Sequence, residues 1–219
     1  SWRYINLDKK INNVPKKVDK IFFFSSPYYK LNNLKKKIFL KELNWLKKIR
    51  KITNTKTFIY LSSSSVYLDN HPVGTAKIKC EKYLIKNSNY DYLQIWRPYN
   101  LIGNENLNLS DHFHNVFIKK FCLEGKKNHH FYGSANDERG YSSAKKFCKL
   151  IISKSNLKKS FIYNYGNSNT IKVKQIANIF KNIFEDRFKK RIKYSFNSTV
   201  KNINTIKSNK IARSFNAKE

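Results

Sequence analysis

Glycine is scarce in this chain of 219 residues, with six in all, at positions 74, 103, 125, 133, 140 and 166. None is spaced as G-x-G-x-x-G or G-x-x-G-x-x-G, the turns that bring a pyrophosphate up to a helix N-terminus, so the residues present hold no such cradle. Cysteine is scarcer still: Cys80, Cys122 and Cys148 are an odd, widely spaced set. That excludes a disulfide framework and predicts reduced, buried thiols. The histidines give no zinc spacing. His112 and His114 are two apart on an expected helix, so they point in different directions, and His129 and His130 fall in an expected loop; no metal site is predicted. Long apolar runs are also missing. The densest patch, Ile21-Phe22-Phe23-Phe24, is far too short to cross a bilayer, and the first residues lack the regions of a signal peptide. A soluble, cytoplasmic protein is the expectation, with no membrane partner.

Acidic residues number 14 against 45 basic ones, for a net charge of +31. The basic residues are mostly lysines scattered along the chain, with no basic stripe and no recognised binding module. Dedicated nucleic-acid binding is therefore not predicted, while affinity for phosphate-bearing ligands is. Hydrophobic residues make up 40% and aromatic residues 15%, enough for one sizeable core, or one core with a small appended lobe.

The informative stretch runs from Thr57 to Lys77. Thr57-Phe58-Ile59-Tyr60-Leu61 is a buried-strand pattern that leads into Ser62-Ser63-Ser64-Ser65-Val66-Tyr67. Ligands of open α/β sheets bind beyond the carboxyl ends of the strands, so a row of hydroxyls there is placed to meet one. Val73-Gly74-Thr75-Ala76-Lys77 then opens a helix whose apolar positions are Ala76, Cys80, Tyr83 and Leu84, with Val73 and Lys77 on one face. A strand end held by hydroxyl-to-backbone bonds and a solvated lysine would account for the same residues.

These residues resemble the extended short-chain dehydrogenase/reductase family, the NAD-dependent nucleotide-sugar epimerases and dehydratases. The family pattern is a Ser or Thr three residues before Val-Tyr, then Tyr-x-x-x-Lys and a Glu. Ser63, Lys77 and Glu81 take three of those places, and Val73 stands where the family has its Tyr. The resemblance implies catalytic roles for Ser63, which bonds the reacting oxygen, and Lys77, which holds the nicotinamide ribose and would lower the phenol's pKa. Valine cannot move a proton, so a non-catalytic binding protein is the alternative. Ser64-Ser65 follow Ser63 where a dehydratase carries Asp-Glu, which favours epimerase or reductase chemistry.

The resemblance extends along the chain. Asp19 to Ser26 is similar to the family's Asp-x-Val-Ile-His-Leu-Ala-Ala strand, with Ser25 and Ser26 at the Ala positions of the cofactor groove. Trp2 to Leu7 reads as a short strand, and its Asn6-Leu7 corresponds to the family's Asp-Leu near the adenine. Tyr92-Leu93-Gln94-Ile95-Trp96 reads as a further strand, and the Arg97-Pro98-Tyr99-Asn100-Leu101-Ile102-Gly103 that ends it is similar to Arg-x-x-Asn-x-x-Gly. It implies Pro98 behind the nicotinamide and Asn100 on the diphosphate side of the substrate. Arg139 matches the guanidinium that clamps the phosphates, although Gly140 and Lys146 stand where acids are expected. Phe161 to Gly166 ends in Tyr-Asn-x-Gly, and Asn209 to Arg213 resembles the family's terminal segment. Ser62 joins Ser25, Ser26, Lys77 and Pro98 as cofactor residues, and Ser64 joins Asn100 and Arg139 as substrate residues.

The fold class implied is α/β: a Rossmann-like parallel sheet flanked by helices, with its N-terminal strands missing, and a small C-terminal α/β substrate lobe. Residues 1–105 would be a partial dinucleotide-binding domain and 106–219 mainly the nucleotide-sugar lobe, with 139–165 returning to the sheet. The family match begins only at its third strand. The expectation is that an N-terminal portion is lacking; the alternative is that the protein never bound a dinucleotide. NAD or NADP is the cofactor implied, a nucleotide sugar the substrate, and a homodimer one option for assembly.

Overall fold

A computed structural model describes residues 5–7, 11–27, 38–68, 71–87, 89–103, 113–123, 127–167 and 169–197. After a short 3-10 turn (Ile11–Asn13) come β1 (Lys17–Phe23), α1 (Ile38–Ile52), β2 (Asn54–Leu61), a second 3-10 turn (Ser64–Tyr67), α2 (Pro72–Lys86) and β3 (Tyr92–Pro98). β4 (Leu101–Ile102), α3 (Phe113–Ile118) running into a π turn (Lys119–Leu123), β5 (Asn128–Tyr132), β6 (Glu138–Gly140) and β7 (Ser142–Ser143) follow. The remainder is α4 (Ala144–Lys154), β8 (Phe161–Tyr165), β9 (Thr170–Lys172), α5 (Val173–Phe188) and β10 (Lys193–Asn197).

Residues 1–98 and 144–165 form one unit. Its sheet runs β1-β2-β3-β8 with every pair parallel. Parallel strands need helical crossovers that cover both faces, which is why β2 and β3 read as nearly continuous apolar runs. Phe58 and Tyr60 of β2 pack with Trp45, Leu46 and Ile49 of α1 and with Cys80 and Leu84 of α2. The exposed face of α1 takes the lysines. Trp96 of β3, fully buried, meets the rings of Phe147 of α4 and of Phe161 and Tyr163 of β8 edge-on or tilted, at 5.9, 5.5 and 5.0 Å. Each such side chain contributes about 1.5–3 kcal/mol by leaving water. Gln94, also fully buried, donates from Nε2 to the carbonyls of Lys154 and Leu157 at 3.1 and 3.3 Å, which ties β3 to the end of α4.

Residues 99–143 and 166–219 form the second unit. Its described core joins Phe117 and Phe121 to Phe131 of β5, to Val173, Ile176, Ala177 and Phe184 of α5, and to Ile192. β10 lies parallel to β5, β7 parallel to β4, and β6 antiparallel to β9.

The fold class is the one expected, a parallel sheet flanked by helices. Three local expectations are corrected. His129 and His130 lie in β5, not in a loop; His129 is buried with its ring 5.2 Å from Phe121, because strand alternation turns it inward. Cys80 is buried but Cys148 is exposed, since Phe147 and Ile151 take the inner positions of α4. Of the strand expected over residues 2–7, only 5–7 are described, and they are not in a strand. His112 and the segment from Asn209 to Arg213 lie outside the described residues.

Candidate functional site

The serine row leaves the carboxyl end of β2. Ser62 N donates to the Trp96 carbonyl at 2.7 Å, and its hydroxyl donates to the Glu81 carboxylate. Ser63 is extended, with φ −158°, and caps the 3-10 turn. Its Oγ accepts from Ser65 N at 3.1 Å and from Ser65 Oγ at 3.0 Å. Ser64 begins that turn. Helix α2 is seated directly against it: a Cβ on Gly74 would lie 2.1 Å from the Ser65 carbonyl oxygen, so no larger residue fits without displacing backbone. The helix start is set by Pro72 and by His71, whose Nδ1 accepts from Gly74 N at 3.2 Å. That acceptor must be unprotonated, and burial lowers the His71 pKa accordingly.

Lys77, one turn after Val73, points into the core. Its Nζ donates to Glu42 Oε1 at 2.6 Å and to the Leu61 carbonyl at 2.9 Å. It also lies 5.0 Å from the centre of the Tyr60 ring. The side chains of Lys77 and Glu42 are 4% and 0% exposed. Tyr60 Oη donates to the same Glu42 Oε1 at 2.9 Å, while Glu42 Oε2 finds no partner among the described residues. Burial first, and the Glu42 charge next, push the Tyr60 phenol well above the usual range.

A second network joins the ends of β2, β3 and β8. Arg97 forks onto Glu81, with Nε to Oε1 at 3.0 Å and Nη2 to Oε2 at 2.5 Å. Its Nη1 donates to Tyr67 Oη at 2.7 Å, and Tyr67 Oη donates to Asn164 Oδ1 at 2.9 Å. The guanidinium carbon stands 5.3 Å from the Tyr67 ring centre. The hydrogen bonds to Glu81 raise the Arg97 pKa, which keeps the guanidinium charged.

Strand register brings several of the expected residues to one level. Phe23 pairs with Tyr60 and Tyr60 with Ile95, and Arg97 pairs with Asn164. Ser25 and Ser26, Ser62 and Ser63, and Arg97 and Pro98 thus follow at the carboxyl ends of three adjacent strands. Asn100 and Arg139 belong to the second unit. Asn100 has φ +44°, a left-handed conformation that asparagine tolerates. Its carbonyl accepts from Ser142 N at 3.2 Å, and its buried Nδ2 has no partner among the described residues. Arg139 donates to the Glu138 carbonyl at 3.0 Å and pairs with Asp137 Oδ2 at 3.3 Å. The neighbouring Gly140 has no room for a side chain, because a Cβ there would stand 2.4 Å from the Asn167 carbonyl oxygen.

Sequence reasoning missed Glu42 as a site residue. The available signal was its being the one acid in a lysine-rich α1, on the same face as Leu46 and Ile49. Tyr67 and Asn164 were not among the expected site residues either; the hydrogen bond that joins them spans 97 residues of sequence and is supplied by the fold.

No protein-family model and no curated protein matches the sequence. Solved structures do match its fold. A UDP-N-acetylglucosamine 4-epimerase from Methanobrevibacter ruminantium M1, solved with UDP-N-acetylmuramic acid, aligns with 94% of this chain and 78% of its own at 18% identity and a TM-score of 0.63. TunA, an NAD-dependent NDP-hexosamine 5,6-dehydratase of tunicamycin biosynthesis, aligns with 96% and 72% at 13% identity and 0.65. MoeE5, solved with UDP-glucose and NAD, aligns with 86% and 70% at 14% identity and 0.59. The fold is therefore that of the nucleotide-sugar epimerases and dehydratases.

Proposed function

We propose that this chain handles nucleotide sugars together with a nicotinamide dinucleotide, by epimerase or reductase chemistry at a sugar carbon, as a member of the extended short-chain dehydrogenase/reductase family. The observation that supports this is the row of polar strand ends on β1, β2 and β3, on a fold shared with enzymes of that class. In this reading Ser25, Ser26, Ser62 and Pro98, which follow or end those strands, line the dinucleotide; NAD and NADP are equally compatible. The nicotinamide supplies or accepts a hydride when bound. In this reading Ser63 bonds the reacting oxygen, Lys77 steadies the ribose, Ser64 faces the sugar, and Asn100 and Arg139 take the diphosphate. The protein works in the cytoplasm, and a homodimer is compatible with the reading.

A second reading, binding without turnover, is favoured by two observations. Val73 has no proton to give, and Lys77 is enclosed in an ion pair with Glu42. The deciding experiment measures binding of UDP-sugars and of NAD or NADP by calorimetry, alongside turnover, in the protein and in Val73→Tyr. Turnover by the unaltered protein establishes the first reading; binding without turnover establishes the second. Binding of neither ligand refutes both, and release of water from the sugar refutes the epimerase or reductase assignment.

A further inference from the structure

Restoring a tyrosine at position 73 supplies the missing phenol, but a phenol near pKa 10 is useful at neutral pH only if a neighbouring cation favours its ionised form. The cation one helical turn away is Lys77, and its surroundings decide whether it can act. From α1, Glu42 meets it at 2.6 Å; from β2 come the Leu61 carbonyl and the Tyr60 phenol; from α2 come Cys80 and Glu81. Glu81 is already forked onto Arg97.

We propose that Glu42 is a positioning residue that holds Lys77 inside the fold and cancels its charge, so that this chain departs from a tyrosine–lysine proton-transfer pair at two places, Val73 and Glu42, and not at one. The inference deepens the second reading above. It rests on the geometry of Lys77, whichever ligand is bound.

Two groups already in the protein report the same balance. Tyr60 lies against the Lys77 ammonium, yet burial and Glu42 push its phenol up. The Cys80 thiol is pushed up to about 12, by burial first and by Glu42 second, with the pull of Lys77 ranking below both.

The test titrates the added phenol directly, without ligand. Val73→Tyr is compared with the unaltered protein, and Val73→Tyr with Glu42→Gln is compared with Glu42→Gln alone, by ultraviolet difference absorbance. Each difference isolates the phenol at position 73. The single variant is expected to titrate at the ordinary tyrosine value of about 10, and the double at a proton affinity at least tenfold lower. Adding Lys77→Met to the double should abolish that shift. A lowered phenol in Val73→Tyr alone, or no shift on adding Glu42→Gln, overturns the proposal. If the double variant does not fold, amine-reactive labelling of the unaltered protein decides. Lys77 protected to the level of a buried group supports the proposal, and labelling at the rate of the surface lysines overturns it. Nucleotide-sugar binding enters none of these readouts, so the functional reading and this one can fail separately.

Discussion

Lys77→Met takes the ammonium from a carboxylate that has no other cation in contact among the described residues. At 2.6 Å the gross attraction is about 6 kcal/mol for an effective dielectric of 20. Removing two ions from water costs several kcal/mol each, so the intact pair adds little to stability. Losing one partner is different, because it leaves Glu42, fully buried, without its counter-ion and with the Tyr60 hydrogen bond as its remaining contact among the described residues. The expected loss is about 3–5 kcal/mol; methionine nearly preserves the volume, which limits the packing contribution to under about 1.5 kcal/mol. Glu42→Leu with Lys77→Met removes both charges, and that pair of changes should return to within about 1 kcal/mol of the starting protein. Urea unfolding followed by tryptophan fluorescence suits the measurement, since Trp45 and Trp96 are buried in this same unit. A loss below about 1 kcal/mol for Lys77→Met, or a double variant as weak as the single, would show that the pair is not the buried counter-ion system described.

Arg97→Lys keeps the charge but loses the fork onto Glu81 and the stack on Tyr67. A loss of about 1.5–3 kcal/mol in thermal unfolding is expected, and an unchanged midpoint would count against the network. Gly74→Ala forces a carbon against the Ser65 carbonyl; about 1–3 kcal/mol of destabilisation and weaker nucleotide-sugar binding are expected, and wild-type values for both would contradict the contact. His71 has a pKa lowered in the fold, so the unfolded chain takes up its proton first. Its cap therefore contributes fully above the ordinary histidine value of 6.5 and is lost as pH falls below it. His71→Asn, which caps without titrating, should flatten this part of a stability-against-pH curve, and a parent curve that rises on acidification would reverse the sign argued here.

Much of the first unit was legible because parallel strands buried on both faces leave apolar runs that few other structures produce. Phe58 to Leu61 and Leu93 to Trp96 needed no partner to be read as strands. The serines of the strand ends were legible for the same reason, since strand and turn residues sit side by side in sequence. The pairing of Glu42 with Lys77 was not, because 35 residues separate them and each, taken in its own helix alone, fits one more charged surface position. Only the packing of α1 and α2 on β2 reveals that both face inward. The Tyr67–Arg97–Asn164 chain was hidden likewise, since its members come from three different segments.

The sheet also dictates an order of assembly. Strand β8 closes on β3 from 67 residues downstream, as the Leu93 to Ser160 hydrogen bond measures, so the ribosome must release all of that intervening chain before Trp96 acquires its ring partners. Until then β3 shows an unpaired edge beneath an uncovered aromatic face, the kind of surface on which nascent chains stick to one another. A fragment ending at Pro98 would be trapped at that stage. The protein is thus best expressed at least through Tyr165, and slow translation between the two strands should cost it more in aggregation than slow translation anywhere after β8.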